Sequence, residues 1–145
     1  MIIEFLTAAG LIVMTVTVHS AGLSLLIRGL AWSHALGKSG FWFVTSVVVC
    51  LTCWLLLVHL VEVLLWGVFY FWQGCIPDIR SALFFSGGAY TTVGYSGVTM
   101  PEQWQMLALL ETLTGILMVG LSTGLFFALV SNWVNRLMQM KAKVD

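Results

Sequence analysis

Three long apolar stretches, each almost free of charge, dominate this sequence and restrict what it can fold into. They cover residues 5–27, 41–72 and 101–135; the first holds no residue of fixed charge, Glu62 is the charged residue of the second, and the third holds Glu102 at its start and Glu111 inside it. A helix needs about 20 apolar residues to cross a bilayer. We therefore predict an all-α membrane protein with three transmembrane helices.

The composition agrees with a chain that lies mostly in lipid. Of its residues, 60% are hydrophobic and 8% are charged, against about 25% charged residues in soluble domains. Because the spans leave little of the 145 residues for a separate catalytic or regulatory domain, we expect a protein that is not an enzyme and uses no cofactor. Six basic and six acidic residues, with no basic block, argue against nucleic acid as a partner.

The segment between the second and third spans differs from a simple loop. Residues 73–101 hold both prolines of the chain, Pro77 and Pro101, and many Gly, Ser and Thr residues. Within the segment, residues 78–90 suit a short helix, because proline is tolerated at a helix start and the Asp78 carboxylate favours the positive end of the helix dipole. About three turns reach only partway across a hydrocarbon layer of about 30 Å. We predict a re-entrant helix here.

The basic residues predict the orientation of the chain. Five of the six lie between the first two spans or after the third, at Arg28, Lys38, Arg136, Lys141 and Lys143. Only Arg80 lies between the second and third spans. Since cytoplasmic segments carry an excess of Lys and Arg, we expect the N-terminus outside and the C-terminus in the cytoplasm.

A short motif, Thr92-Val93-Gly94-Tyr95, follows the predicted re-entrant helix. It resembles the selectivity filter of potassium channels, in which rings of carbonyl oxygens replace the hydration shell of the ion. The resemblance extends over residues 41–136, where a span, a half-membrane helix, a filter and a long final helix occur in the order of that family. It implies a bacterial-type potassium channel of the inner cell membrane, with an added N-terminal helix, that conducts K⁺ passively through a carbonyl-lined filter.

The resemblance also divides the chain and assigns its ion-binding residues. It implies three regions: an N-terminal helix and cytoplasmic loop at 1–40, a pore domain at 41–139 and a short cytoplasmic tail at 140–145. The elements expected in the pore domain are an outer helix at 41–72, a pore helix at 78–90, a filter at 92–96 and an inner helix at 101–136. The residues expected to bind K⁺ are Thr92, Val93, Gly94, Tyr95 and Ser96. One chain cannot surround an ion with so short a segment, so a closed ring of copies is needed, and the resemblance makes it a homotetramer in the lipid bilayer.

Ser96 leaves a second interpretation open. It stands where the family has a glycine, and a residue other than glycine is disfavoured in the left-handed backbone region by about 1–2 kcal/mol. A distorted outer carbonyl ring would give a weakly selective monovalent cation channel in place of a potassium-selective one.

Four residues are expected to act around the filter. Gly115 is either a gating hinge of the pore-lining helix or a packing glycine. His59 and Glu62, three residues apart on one helix face, form either a proton-sensitive brace or a hydrogen-bonded pair that supports the filter, with Arg80 as a further candidate partner. Glu111 is expected near the level of the filter, packed behind it or facing a neighbouring subunit.

Two rival interpretations start from other residues. Cys50 and Cys53 form a C-x-x-C pair, as in thiol oxidoreductases, but they lie inside an apolar run and are more simply two small apolar residues. A metal-binding bundle could use the ionisable residues of the spans, which are His19, His59, Glu62 and Glu111. Their spacing matches no standard ligand pattern, so we expect no metal besides the transported K⁺ and only a simple polar contact for His19.

Overall fold

The computed structural model describes residues 2–32, 41–94 and 97–141. These parts of the chain contain four α-helices and no strand: α1 (Ile2–Trp32), α2 (Phe41–Trp72), α3 (Ile79–Tyr90) and α4 (Gln105–Lys141). Three segments are long and apolar enough to cross a membrane: Ile3–Leu30, Trp42–Trp72 and Glu102–Asn135. The predicted all-helical fold with three spans is confirmed, and the chain is a multi-pass membrane protein.

The last helix differs from its predicted bounds at both ends. A 3-10 helix, Glu102–Trp104, leads into α4, and α4 itself continues to Lys141. The prediction ended the helix at Arg136, where charged residues begin. A helix need not stop where it leaves the lipid, because its backbone hydrogen bonds remain satisfied in water as well.

Helix α3 is the short helix predicted between the second and third spans. Asp78 is its N-cap, and the Asp78 carboxylate accepts the backbone N–H of Ser81 at 2.8 Å. Hydrogen bonds to the Asp78 carboxylate, chiefly the one from the Ser81 backbone, hold the pKa of Asp78 below its ordinary value. The helix has 12 residues, which makes it about 18 Å long. It is therefore too short to cross a hydrocarbon layer of about 30 Å.

Hydroxyl groups inside the spans are satisfied by their own helices. Thr15 donates to the Leu11 carbonyl at 2.8 Å in α1, and Thr114 donates to the Leu110 carbonyl at 2.7 Å in α4. Lipid offers a hydroxyl no partner, so each polar group has to be bonded within the protein. Back-bonding of this kind lets threonine occupy a membrane span at little cost.

The N-terminal helix α1 packs against α2 and α4. Trp66 Nε1 of α2 donates to Thr15 Oγ1 at 2.9 Å, and Trp54 Nε1 donates to the Gly22 carbonyl at 2.9 Å. The later residue of α2 bonds the earlier residue of α1, so the two helices run antiparallel. These two indole hydrogen bonds fix their register.

A buried cluster joins all four helices around the first half of α3. Its members are Ala8, Leu11, Trp66, Tyr70, Cys75, Ile76, Ala82, Met100 and Leu107. Within it, the ring of Tyr70 meets the ring of Phe85 edge to face, with centroids 5.5 Å apart. Burial of these side chains holds the start of α3 against α2 and α4, and this positions the opposite end of α3.

Candidate functional site

The loop after α3 turns its N–H groups toward the end of that helix. Thr92 N donates to the Ala89 carbonyl at 3.1 Å, and Gly94 N donates to the Gly88 carbonyl at 3.0 Å. In a planar trans peptide, the C=O group points opposite to the N–H group of the same peptide unit. The carbonyl oxygens of Thr91 and Val93 therefore point away from α3.

The backbone of this loop alternates in handedness. Thr92 has φ 65° and Gly94 has φ 68°, whereas Val93 between them does not have a positive φ. Glycine adopts this region freely, but a β-branched threonine there is strained by about 1–2 kcal/mol. Strain of this size persists where surrounding contacts impose it, which is common at functional sites.

A carboxylate of α4 holds the middle of α3. Glu111 is fully buried. Its Oε1 accepts the hydroxyl of Ser86 on α3 at 2.5 Å, and its Oε2 accepts the hydroxyl of Tyr70 on α2 at 2.7 Å. One side chain thus ties together α2, α3 and α4, and each carboxylate oxygen has a donor.

A second buried carboxylate, on α2, holds the last residue of α3. Glu62 accepts the hydroxyl of Tyr90. Its other oxygen lies 2.7 Å from Nδ1 of His19 on α1. His59 Nδ1 is 2.8 Å from the Tyr90 hydroxyl and 3.4 Å from Glu62. The end of α3, one residue before the loop, is therefore held by two side chains of α2, and one of them, Glu62, is bonded in turn to α1.

Gly115 of α4 lies directly against the end of α3. A Cβ atom added to Gly115 would overlap the backbone carbonyl oxygen of Tyr90 and lie 3.1 Å from both its carbonyl carbon and its Cγ. Only glycine allows α4 to approach this closely. The structure thus gives Gly115 a packing role, while its role as a gating hinge stays a prediction.

A sequence model of a family described as ion channel matches residues 58–132. This segment is just over half of the 145 residues. The chain belongs to this ion channel family. The match takes in the second half of α2, all of α3, the loop that follows it and most of α4. Searches of curated proteins and of solved structures gave no significant match.

The channel brings the predicted supporting residues together at one place. His59 and Glu62 contact Tyr90, Gly115 packs against Tyr90, and Glu111 bonds Ser86 one turn earlier. Two residues after Tyr90 the chain continues with Thr92, Val93 and Gly94. Tyr95 and Ser96, the last two residues assigned to the filter, lie outside the described residues. The role of these residues in ion binding and filter support stays a prediction.

Arg80 does not take the place proposed for it beside Glu62. It is exposed in the first turn of α3, whereas Glu62 bonds Tyr90 at the last residue of that helix. Tyr90 lies ten positions after Arg80 in the same helix, which corresponds to about 15 Å along the helix axis. His19 and His59 take the place of Arg80 as basic neighbours of the carboxylate.

Sequence reasoning missed four residues of this site. These are His19, which was expected to make only a simple contact, and the hydroxyl donors Tyr70, Ser86 and Tyr90. A signal for His19 exists, because an ionisable residue inside a span demands a partner within the protein. Its partner depends on the register of α1 on α2, which the sequence does not reveal.

Three of the four residues considered for a metal site come together in the channel. The ligand atoms of His19, His59 and Glu62 all lie within 4.8 Å of one another. Glu111 bonds elsewhere, to Ser86 and Tyr70. Sequence spacing is a poor guide to this grouping because the ligands come from two different helices, α1 and α2.

The cysteines occupy positions that do not suit thiol chemistry. Cys50 and Cys53 are free and exposed on α2, within a membrane span. Cys75 is free and buried, and burial raises the pKa of its thiol. A reactive cysteine needs a low pKa and an accessible sulfur, so Cys75 is a poor partner for the C-x-x-C pair.

Proposed function

We propose that this channel is a homotetramer that conducts K⁺ passively and selectively through a filter formed by residues 92–96 of each chain. The observation that carries the proposal is the direction of the Val93 carbonyl group in the filter and of the Thr91 carbonyl group directly before it. They point away from α3 because the adjoining N–H groups are bonded to the helix end. Several such loops around an axis would replace the water molecules of a dehydrated cation.

The position of α3 supports a cation pathway. The carbonyl end of a helix carries a partial negative charge, and in α3 this end immediately precedes the loop. Two buried acidic side chains, Glu62 and Glu111, hold the helix in this position. The electrostatic potential near the loop would therefore favour cations over anions.

Apolar side chains left uncovered by a single chain support the homotetramer. Val93, in the loop itself, is 71% exposed. Leu113, Leu117 and Leu121 are also exposed, and they lie four residues apart on one face of α4. Contacts with neighbouring copies would cover Val93 and part of this face. A closed ring also supplies the repeated carbonyl groups that one chain lacks.

The charge distribution supports one orientation in the membrane. In this orientation the N-terminus lies outside the inner membrane of a bacterial cell and the C-terminus lies in the cytoplasm. Helix α3 then enters the membrane from its outer side. The filter would then face the outside, and α4 would line the path to the cytoplasm.

The conformation of the filter loop can be tested with two matched glycines. Gly94 and Gly74 both have positive φ, 68° and 71°, and both have open space where a Cβ would lie. Gly94→Ala and Gly74→Ala therefore impose the same strain of about 1–2 kcal/mol, one in the filter and one in the link between α2 and α3. We expect Gly94→Ala to abolish K⁺ flux into proteoliposomes and Gly74→Ala to retain it.

Native mass spectrometry of the same preparations gives the number of chains. Four chains are expected for the parent and for both variants. Full K⁺ flux through tetrameric Gly94→Ala, or a parent that assembles without any flux, would contradict the proposal.

A further inference from the structure

His19, His59 and Glu62 form a buried cluster, here called the His–His–Glu cluster, behind the end of α3. His19 is 1% exposed, Glu62 is fully buried and His59 is 17% exposed. The Nδ1 atom of each histidine faces a different carboxylate oxygen, at 2.7 Å for His19 and 3.4 Å for His59. All three potential ligand atoms lie within 4.8 Å of one another.

The donor set of the cluster matches one class of metal ion. Two imidazole nitrogens and one carboxylate oxygen are ligands that Zn²⁺ takes at about 2.0–2.2 Å, often with a fourth position left open. Tetrahedral coordination at these bond lengths places neighbouring donors about 3.3 Å apart. The two distances between a histidine Nδ1 and a Glu62 oxygen, 2.7 and 3.4 Å, lie on both sides of this value. Small side-chain rotations would therefore complete the tetrahedral geometry. Ca²⁺ and Mg²⁺ prefer sites made of oxygen atoms alone.

Surrounding residues hold the ligands in place, as outer-shell partners do at metal sites. His19 Nε2 lies 3.4 Å from the Ser122 hydroxyl of α4, which directs Nδ1 toward Glu62. The Tyr90 hydroxyl donates to Glu62 and lies near His59. Helix α2 contains no Lys or Arg, so the carboxylate has no fixed positive charge from its own helix.

We propose that the His–His–Glu cluster is a binding site for a divalent transition-metal ion of the Zn²⁺ class. Binding through Nδ1 would require both imidazoles to be neutral with their one proton on Nε2, where the proton of His19 faces the Ser122 hydroxyl, and would leave Glu62 as the carboxylate ligand. The ion would join α1 to α2 at the level of Tyr90. If the proposed conduction function holds, binding also alters K⁺ flux, because it takes up ligand atoms that now contact the Tyr90 hydroxyl.

Metal binding can be measured on the purified full chain without any current. The background variant Cys50→Ser/Cys53→Ser removes the exposed thiols, which could bind the same ions. Co²⁺ is titrated and followed by the visible absorption of four-coordinate Co²⁺, and Zn²⁺ affinity is measured by competition with a chromophoric chelator. We expect one ion per chain.

Variants of the cluster and of a neighbouring residue of α4 provide the test and the control. His19→Ala and His59→Ala should each weaken Zn²⁺ binding by roughly 100-fold or more, and Ser122→Ala by about tenfold. Thr123→Ala should leave the affinity unchanged, because the exposed Thr123 hydroxyl, next to Ser122 in the chain, donates to the Val119 carbonyl of its own helix at 2.8 Å and not to the cluster. Unchanged Zn²⁺ affinity in the His19 or His59 variants, or no Co²⁺ absorption in the background variant, would overturn the proposal.

A second variant covers the case in which His19→Ala fails to fold. His19→Gln keeps a side-chain amide that can donate to Glu62 but removes the imidazole, so it should fold and still lose metal affinity. Folding is checked by helical circular dichroism and gel filtration. The binding result is independent of conduction, so failure of the metal site and failure of the channel proposal are separate outcomes.

Discussion

Replacing Gly115 by alanine should force α4 away from the end of α3. The added Cβ would overlap the Tyr90 carbonyl oxygen and lie 3.1 Å from two further atoms of Tyr90. Backbone atoms at a helix end cannot rotate away as a flexible side chain can. Overpacking of this kind lowers the free energy of unfolding by about 1–3 kcal/mol. The better helix propensity of alanine offsets about 1 kcal/mol of this loss.

Gly10→Ala is the matched control, since Gly10 also lies inside a membrane helix but has no atom within 4 Å of an added Cβ. The control should stabilise the protein by about 1 kcal/mol, so the two variants should differ by about 1–3 kcal/mol. The free energy of unfolding is measured by titration with sodium dodecyl sulfate in mixed micelles, followed by circular dichroism.

K⁺ flux measured in parallel separates packing from hinge bending. Displacement of Tyr90 should reduce the flux of Gly115→Ala together with its stability. Equal stability of Gly115→Ala and Gly10→Ala would refute the close approach of α4 to α3. If flux changed in that case, Gly115 would act as a hinge.

Three further predictions concern other parts of the channel. Tyr70→Phe removes a donor from the buried α4 carboxylate and should lower the free energy of unfolding by about 1.5–3 kcal/mol in the same titration; an unchanged value would mean that this hydrogen bond contributes nothing. The folded-state pKa of Asp78 lies below its ordinary value of 3.8, so its contribution to stability is complete above that value and is lost as the pH falls through the folded-state pKa. Asp78→Asn keeps a capping oxygen for Ser81 and should remove this part of the pH dependence of thermal unfolding at acidic pH, whereas an identical pH profile would contradict it. Cys50→Ala/Cys53→Ala should leave K⁺ flux unchanged, and loss of a measurable dithiol oxidation in this variant would instead favour the oxidoreductase.

The helices of the channel could be predicted because their signals are local. Apolar length predicts the spans, and an acidic residue beside a proline predicts the start of α3. Asp78 proved to be the N-cap, so the helix begins at Ile79, one residue later than expected. The 3-10 helix before α4 also begins with an acidic residue beside a proline, Glu102 after Pro101, but this signal does not distinguish a 3-10 turn from the first turn of an α-helix.

The contacts of the site were harder to predict because they join distant parts of the chain. Glu62 and Glu111 were recognised as costly groups in lipid, but each is bonded by side chains from two other helices, α1 and α3 for Glu62 and α2 and α3 for Glu111. The positive φ of Thr92 was also missed, since a β-branched residue has no intrinsic preference for that region. The observed conformation is accompanied by backbone hydrogen bonds from Thr92 and Gly94 to the last turn of α3.

The central claim of K⁺ selectivity is tested most directly by a bi-ionic reversal potential. Purified protein in a planar bilayer separates K⁺ on one side from Na⁺ on the other, and the zero-current voltage gives the permeability ratio. The proposed filter predicts a reversal potential that strongly favours K⁺, which would mean that Ser96 is accommodated in a working filter. A reversal potential near zero with clear conductance would contradict K⁺ selectivity and identify a weakly selective cation channel.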